Sequence, residues 1–265
     1  CFVFLFPFFV LGPGPSWEFW KGNWFLALFF LLLLGALNAF FLANRKVFTL
    51  VEREDWKALS AHLAEQIMVK GRYRASSVRL YVNSSLLLAD VEGIDKLEAE
   101  LEAKKPALLR SNALLFGVTR LLRNRPAEAE ALFARYLDAK DVEAREWLRF
   151  DYAFSLVLQK RIPDALAYLK EGSASRDAVL ALLAAYLLGS IGAAAAPSPE
   201  ERAELAGLAE ATRARLAARF SPSRWSKEVE RAKSEVHIVI LSKLVDDAGR
   251  WLYAQPDAAP AGGSP

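Results

Sequence analysis

The sequence predicts an all-α protein, a solenoid of stacked helical hairpins behind an N-terminal transmembrane helix. Three observations carry that expectation. From about Tyr73 to Leu188 the pattern of apolar and small residues repeats every 36 residues without gaps. Upstream, Trp24 to Leu42 runs for nineteen residues without a charge. Downstream, Trp225, Val229, Ala232, Val236, Val239 and Ile240 recur at spacings of three and four, the stripe of a helix with one apolar face.

Cys1 to Leu11 is apolar apart from its proline. Eleven residues of helix rise only about 16 Å, roughly half a hydrocarbon core, so the segment cannot span a bilayer as it stands. It reads as the end of a transmembrane helix or the apolar part of a targeting segment. Lipidation of Cys1 is the weaker alternative, because apolar residues follow it where a polar tether would be expected. Gly12-Pro13-Gly14-Pro15 is expected to break any helix. Residues 1–23 are thus an apolar segment and a Trp-rich loop, and residues 24–44 the transmembrane helix. Its uncharged stretch has only Asn38 as a strongly polar side chain and covers about 28 Å at about 1.5 Å per residue. Trp17, Trp20 and Trp24 stand at the entry and Arg45-Lys46 at the exit, as at membrane interfaces. Arg45, Lys46, Arg53 and Lys57 outweigh Lys21, which favours the inner membrane with the solenoid in the cytoplasm. A periplasmic solenoid stays open, since that topology requires the first apolar segment to cross as well.

Residues 45–72 read as a linking and capping helix: Glu54-Asp55 start it, Trp56, Leu59, Leu63 and Ile67 give it an apolar face, and Gly71-Arg72 close it. Residues 73–190 hold the repeats. Leu97, Phe133 and Leu169 fall on one register, Gly93, Ala129 and Ala165 on a second, and Glu92, Glu128 and Asp164 on a third. Leu86, Leu122 and Leu158 form another, Tyr81, Gly117, Ala153 and Gly189 another, and Leu80, Phe116, Tyr152 and Leu188 the last. Each unit is two apolar-periodic segments joined by a short turn. Such a hairpin is too small to bury its own apolar face, so neighbours must stack.

The order of a large and then a small residue (Phe116-Gly117, Tyr152-Ala153), a small residue twelve later (Ala129, Ala165) and an apolar one four after that (Phe133, Leu169) resembles the tetratricopeptide repeat. Small residues at those registers let the helices of a hairpin approach closely. The chain departs from the family in its period of 36 against 34, in Tyr81 where a small residue is expected, and in lacking the repeat-ending proline. The resemblance implies a right-handed solenoid whose first helices line a concave groove for a peptide or a partner's amphipathic helix. The matching positions here are Val78, Val82, Leu114, Val118, Phe150 and Phe154. The groove is either free or filled by the chain's own helix from Trp225 to Trp251.

Residues 191–254 are expected to be capping helices. A small-residue connection leads to Pro199-Glu200-Glu201, a good helix start, and that helix runs to about Phe220. A second begins at Ser221-Pro222-Ser223 and ends near Tyr253; residues 255–265, rich in Ala, Gly and Pro, read as a disordered tail.

Composition narrows the function classes. With 54% hydrophobic and 25% charged residues the chain can build a core. A net charge of +3 from 34 basic and 31 acidic residues, alternating along the helices, argues against nucleic acid as a partner. A single cysteine precludes an internal disulfide. His62 and His237 have no metal-ligand spacing, and no phosphate-loop, dinucleotide or nucleophile-elbow motif occurs. Acid pairs such as Glu52 and Glu54, or Asp246-Asp247, fit solvated ion pairs, and the sequon Asn83-Ser84-Ser85 falls within an expected helix. No enzymatic activity, cofactor or metal is therefore expected. Two functions fit: a membrane-anchored scaffold for protein–protein interaction, held in the lipid bilayer by Trp24 to Leu42, or a structural subunit of a larger membrane machine with a periplasmic solenoid.

Overall fold

The structure, a computed structural model, describes residues 9–10, 12–233 and 235–254, the side chains of Phe19, Trp20 and Val236 excepted. Most of the first apolar segment, including Cys1, and the tail 255–265 lie outside the described residues. Among those residues every regular element is a helix. The chain divides into two units at His62 and Leu63.

In the first unit, α1 (Pro13–Gly22) follows Gly12, whose φ of 79° is a conformation glycine adopts at no steric cost. Gly12 interrupts the helical run after Val10, as the Gly-Pro-Gly-Pro stretch leads one to expect, and Pro13-Gly14-Pro15 then form the first turn of α1, where no N–H is required of a proline. After a one-residue break, α2 (Trp24–Glu52) continues for 29 residues with none of them buried. It is long and apolar enough to cross a membrane. Its polar side chains satisfy themselves: Asn38 Nδ2 and Asn44 Nδ2 donate to the carbonyls of Leu34 and Phe40, four residues back, each at 2.8 Å. The helix runs well past Leu42, so the apolar stretch is its first two-thirds. Glu54 at φ 53° ends it, and Asp55 Oδ1 caps the next helix, α3 (Trp56–Ala64), by accepting from Ala58 N at 3.0 Å. The division falls within α3, and the π-helical turn that follows it, Glu65–Val69, belongs to the second unit.

The second unit contains the repeats. The first hairpin is α4 (Ala75–Leu87) and α5 (Val91–Lys104). The second is α6 (Pro106–Ser111), α7 (Ala113–Leu122) and α8 (Pro126–Ala134); the third is α9 (Arg145–Leu158) and α10 (Ile162–Ser173). Packing follows one rule: each helix touches its hairpin partner, α8 and α10 touch the first helix of the next hairpin, and the first helices α4, α7 and α9 touch in succession. Each hairpin turns through a left-handed residue just before the next helix: Ala89 (φ 55°), Asn124 (φ 54°) and Lys160 (φ 62°).

The departure at Tyr81 has a steric explanation. In the second hairpin, a Cβ on Gly117 would fall within the ring of Phe133, whose Cδ1 atom would be 2.8 Å away and other ring atoms nearer. In the first, the large and small residues trade helices: a Cβ on Gly93 would stand 2.6 Å from Tyr81 Oη and closer still to the Asp90 carboxylate. Asp90 Oδ1 in turn caps α5 through Gly93 N at 3.0 Å. A tyrosine is thus accommodated on α4 because α5 offers a glycine.

The helix α11 (Ala178–Leu187) continues through a π-helical turn, Leu188–Gly192, into Ala193–Ala195. This stretch is also apolar enough for a membrane, but 67% of its apolar window is buried, and it is the centre of the core. Leu180, Leu182, Leu183 and Leu187 are almost wholly buried, each contributing about 1.5–3 kcal/mol of apolar transfer. It packs on α9, on α10 and on α12 (Pro199–Arg219), which Ser198 caps by accepting from Glu201 N at 3.1 Å. The single helix expected from Ser221 to Tyr253 is three: α13 (Pro222–Ala232), α14 (Val236–Ile240) and α15 (Ser242–Tyr253). Separate pieces let the segment follow a curved surface: α14 rests on α7, while α13 and α15 rest on α11. Arg213 fastens the end, with its guanidinium 5.6 Å from the Trp251 ring and Nη1 donating to the Trp251 and Ala254 carbonyls at 3.2 Å.

Candidate functional site

The six residues expected to line a groove are distributed unequally. Val78, Val82, Val118 and Phe150 are in the core, Leu114 is 8% exposed, and Phe154 is half-buried. Phe150 stacks on Phe154 with centroids 6.3 Å apart and meets the Trp147 ring edge-on at 5.7 Å. These side chains pack inside the protein rather than facing an open groove. The chain's own segment from Pro222 to Tyr253 packs against the first helices, with α14 on α7, α13 and α15 on α11, and Trp251 against Tyr186 at 5.8 Å.

What this covering leaves open is a cavity of about 390 Å³ at the N-terminal ends of α7 and α9. Of the six, only Leu114 borders it. The α4 helix brings Arg79 and Asn83, four residues apart and so on one face. The joint between α6 and α7 brings Ser111, Asn112, Leu114 and Leu115. The loop before α9 contributes Glu143 and Ala144, the latter left-handed at φ 52°, and α9 contributes Trp147. Glu235 and His237 close the far wall.

The polar groups there are of three kinds. Arg79 and Glu143 form an ion pair at 2.9 Å, half-exposed on both sides and therefore worth little to stability. Trp147 Nε1–H donates to Asp177 Oδ2 at 3.0 Å, while Asp177 Oδ1 caps α11 by accepting from Val179 N and Leu180 N at 2.9 and 3.1 Å. That fixes the indole as a shelf for the His237 ring, 4.6 Å away. Burial lowers the His237 pKa to about 4 against the weaker pull of Asp177, so the imidazole is neutral at neutral pH. The third kind is unsatisfied: Asn83 Oδ1 and Asn112 Oδ1 are buried without a hydrogen-bond partner. The orientation of Asn112 is set by Nδ2, which donates to the Leu108 carbonyl at 2.8 Å and to Ser111 Oγ at 3.0 Å. A buried acceptor left unpaired costs about 1–3 kcal/mol.

In the sequence Asn83 stands out only in the sequon Asn83-Ser84-Ser85, and Thr119 and Ser155 occupy its register in the next two hairpins. Those two instead bond back to their own helices, Thr119 Oγ1 to the Phe116 carbonyl at 2.7 Å and Ser155 Oγ to the Tyr152 carbonyl at 2.6 Å. His237, marked in the sequence only by its lack of metal-ligand spacing, is buried at the wall of the cavity. Asp151, one turn beyond Trp147, is a separate surprise: it is fully buried with both carboxylate oxygens unpartnered, and burial pushes its pKa well above the carboxylate range.

Helical hairpins in succession, a helix of membrane length and a cavity of mixed polar and apolar lining bordered by the C-terminal segment define the class: an all-helical protein with a candidate membrane anchor and a ligand-sized cavity. Residues 93–254 match the family described as "Uncharacterised Treponema protein", and the chain belongs to that family. It is 30% identical over 246 residues to an "Uncharacterized protein" of Treponema pallidum (strain Nichols), an alignment covering 91% of this chain and 78% of the relative. No solved structure matches the chain.

Proposed function

We propose that this protein is a membrane-anchored, tetratricopeptide-like right-handed solenoid that holds a protein partner at the inner membrane. Support for the solenoid comes from the regular succession of first-helix contacts and from the close approach of a large side chain to a glycine within a hairpin, Tyr81 to Gly93 and Phe133 to Gly117. Support for the anchor is α2, uncharged from Trp24 to Leu42 and wholly unburied. The observation that carries partner binding is the cavity of about 390 Å³ on the first-helix face, where Arg79, Asn83, Glu143, Trp147 and His237 converge. A peptide segment, or the end of an amphipathic helix, fits a site that mixes polar and apolar side chains in this way. The basic residues that follow the uncharged stretch, Arg45 and Lys46 within α2 and Arg53 and Lys57 beyond it, favour the cytoplasmic side.

The covering of the first helices by α13–α15 favours a second reading, a structural subunit of a larger membrane machine with a periplasmic solenoid, whose contacts lie on outer surfaces. Alkaline carbonate extraction together with a reporter fused after Pro265 tests the anchor and its direction. Retention in the membrane with a fluorescent cytoplasmic reporter supports the first reading. Alkaline phosphatase activity from the same position reverses the side, and release by carbonate refutes the anchor.

A further inference from the structure

Asn38 is the one strongly polar side chain in the uncharged stretch of α2, and its carboxamide is only partly used. Nδ2 donates to the Leu34 carbonyl at 2.8 Å, while Oδ1 accepts nothing among the described residues. In water that would cost little, because the residue is exposed. In a spanning α2, Asn38 stands four residues inside Leu42, about 6 Å from that end of the stretch and at hydrocarbon depth. Water is absent there, and a polar group without a partner in hydrocarbon carries a penalty that a hydrogen bond removes.

The face that carries Asn38 suits a close neighbour. Leu28, Leu31, Gly35, Asn38 and Leu42 follow one another at spacings of three and four, the seam a helix turns toward a partner helix, and Ala39 stands beside it one turn after Gly35. A mid-helix glycine weakens a helix relative to alanine, yet a Cβ on Gly35 would meet nothing within 4 Å, so the described packing of the chain itself has no use for it. In a membrane, a glycine followed four residues later by another small residue lets two helix backbones approach. The bulk lies elsewhere. Phe29, Phe30, Phe40 and Phe41 fall on the far side of the helix from this seam, where Phe40 and Phe41 each meet the Phe48 ring, at 6.0 and 5.3 Å.

We propose that α2 pairs inside the bilayer with α2 of a second copy of this chain, across Gly35 and Ala39, with the two Asn38 carboxamides hydrogen-bonded to each other. The inference rests on the membrane-anchored reading above and on α2 alone. Two observations favour a second copy as the occupant. A carboxamide is donor and acceptor at once, so a two-fold pair of identical helices sets each Asn38 against another and satisfies both. Among the described residues, the other stretch apolar enough to span, Ala178–Ala195, is largely buried in the core and offers α2 no partner within the chain. Lys46 continues the seam four residues beyond Leu42, at headgroup depth, where lipid phosphates offset the charge of two lysines brought together.

The test is disulfide crosslinking of the full chain in native membranes, in a Cys1→Ser background with one cysteine introduced at a time. Leu28→Cys and Leu42→Cys lie on the seam, Leu33→Cys and Leu37→Cys on the opposite side, and all four positions are exposed on α2. Pairing predicts a crosslinked dimer after mild oxidation, with at least about threefold more of it from positions 28 and 42 than from 33 and 37. Asn38→Leu and Gly35→Leu, neither of which interrupts the apolar stretch, should each abolish that preference. Equal yields on both sides of the helix, or a preference unchanged by Asn38→Leu, overturn the pairing. A crosslink from the seam to a different protein in place of the dimer overturns it in favour of another partner. Chains that resist carbonate extraction but give no dimer from positions 28 and 42 overturn the pairing and leave the anchor standing. Release by carbonate refutes the anchor, and the pairing with it.

Discussion

Replacing Gly117 with alanine is the sharpest probe of the hairpin packing, because two effects of opposite sign compete at one methyl group. Helix propensity alone favours alanine over a mid-helix glycine by about 1 kcal/mol. Against this, the new Cβ would stand 2.8 Å from Phe133 Cδ1 and nearer to two other ring atoms, and Phe133 is 0% exposed, so the ring has no free space to retreat into. Overpacking of that kind costs about 1–3 kcal/mol. The net expectation is a loss of up to about 2 kcal/mol, or up to roughly 8 °C in melting temperature for a domain of this size. The third hairpin shows the remedy: Ala153 and Leu169, both buried, stand at the registers of Gly117 and Phe133. Phe133→Leu alone should cost about 1–2 kcal/mol for the lost ring volume. The double variant should cost less than the sum of the singles, with a coupling of at least about 1 kcal/mol. Thermal melts of the full chain in detergent, followed by far-ultraviolet circular dichroism, give all four corners of the cycle. A higher melting temperature for Gly117→Ala by itself, or simple additivity, would refute the steric argument.

Three further outcomes follow from the structure. Lys160→Gly should raise stability by about 0.5–1 kcal/mol in the same melts, since an exposed left-handed residue at φ 62° gains from losing its Cβ; a lower melting temperature would contradict that turn. His237 has its folded pKa near 4 against an ordinary 6.5, so its contribution is intact above pH 6.5 and is lost as pH falls toward 4, by about 3 kcal/mol in full. His237→Gln should flatten that part of the stability profile, and an unchanged slope would argue that the ring is accessible to water. Asp151 has the opposite sign: its raised pKa makes wild-type stability fall as pH rises above the ordinary carboxylate pKa of 3.8, so Asp151→Leu should gain over wild type from acid toward neutral pH, and a constant difference between the two profiles would contradict its burial.

The repeat was legible because close packing leaves a trace in residue size. The 36-residue register follows helices that pair, and it marked Gly117 as a position of close approach; that Phe133 is what approaches it is visible only in the structure. The same logic marked Tyr81 as an exception but could not explain it, since the compensation lies across the hairpin at Gly93. The C-terminal break was not legible: Trp225 to Ile240 keeps a helical stripe through a chain that actually divides after Ala232, because each short piece retains the apolar period. The cavity was hidden for a related reason. It is assembled from Asn83, Asn112, Trp147 and His237 on four separate elements, none adjacent in sequence, and its form depends on where α14 comes to rest. The groove residues followed from a resemblance that says nothing about what covers the first helices, and here the chain covers them itself.

The most direct measurement of the central claim is site-specific photocrosslinking in native membranes, with a photoreactive amino acid at Leu115 on the cavity wall. A partner-holding protein gives a discrete adduct with another protein, identified by mass spectrometry, which weakens when Asn112→Leu removes the unpaired carbonyl and persists with a substitution at exposed Tyr253. Adducts confined to the chain's own segment from Pro222 to Tyr253 would contradict the account, showing that the cavity serves only the protein that forms it.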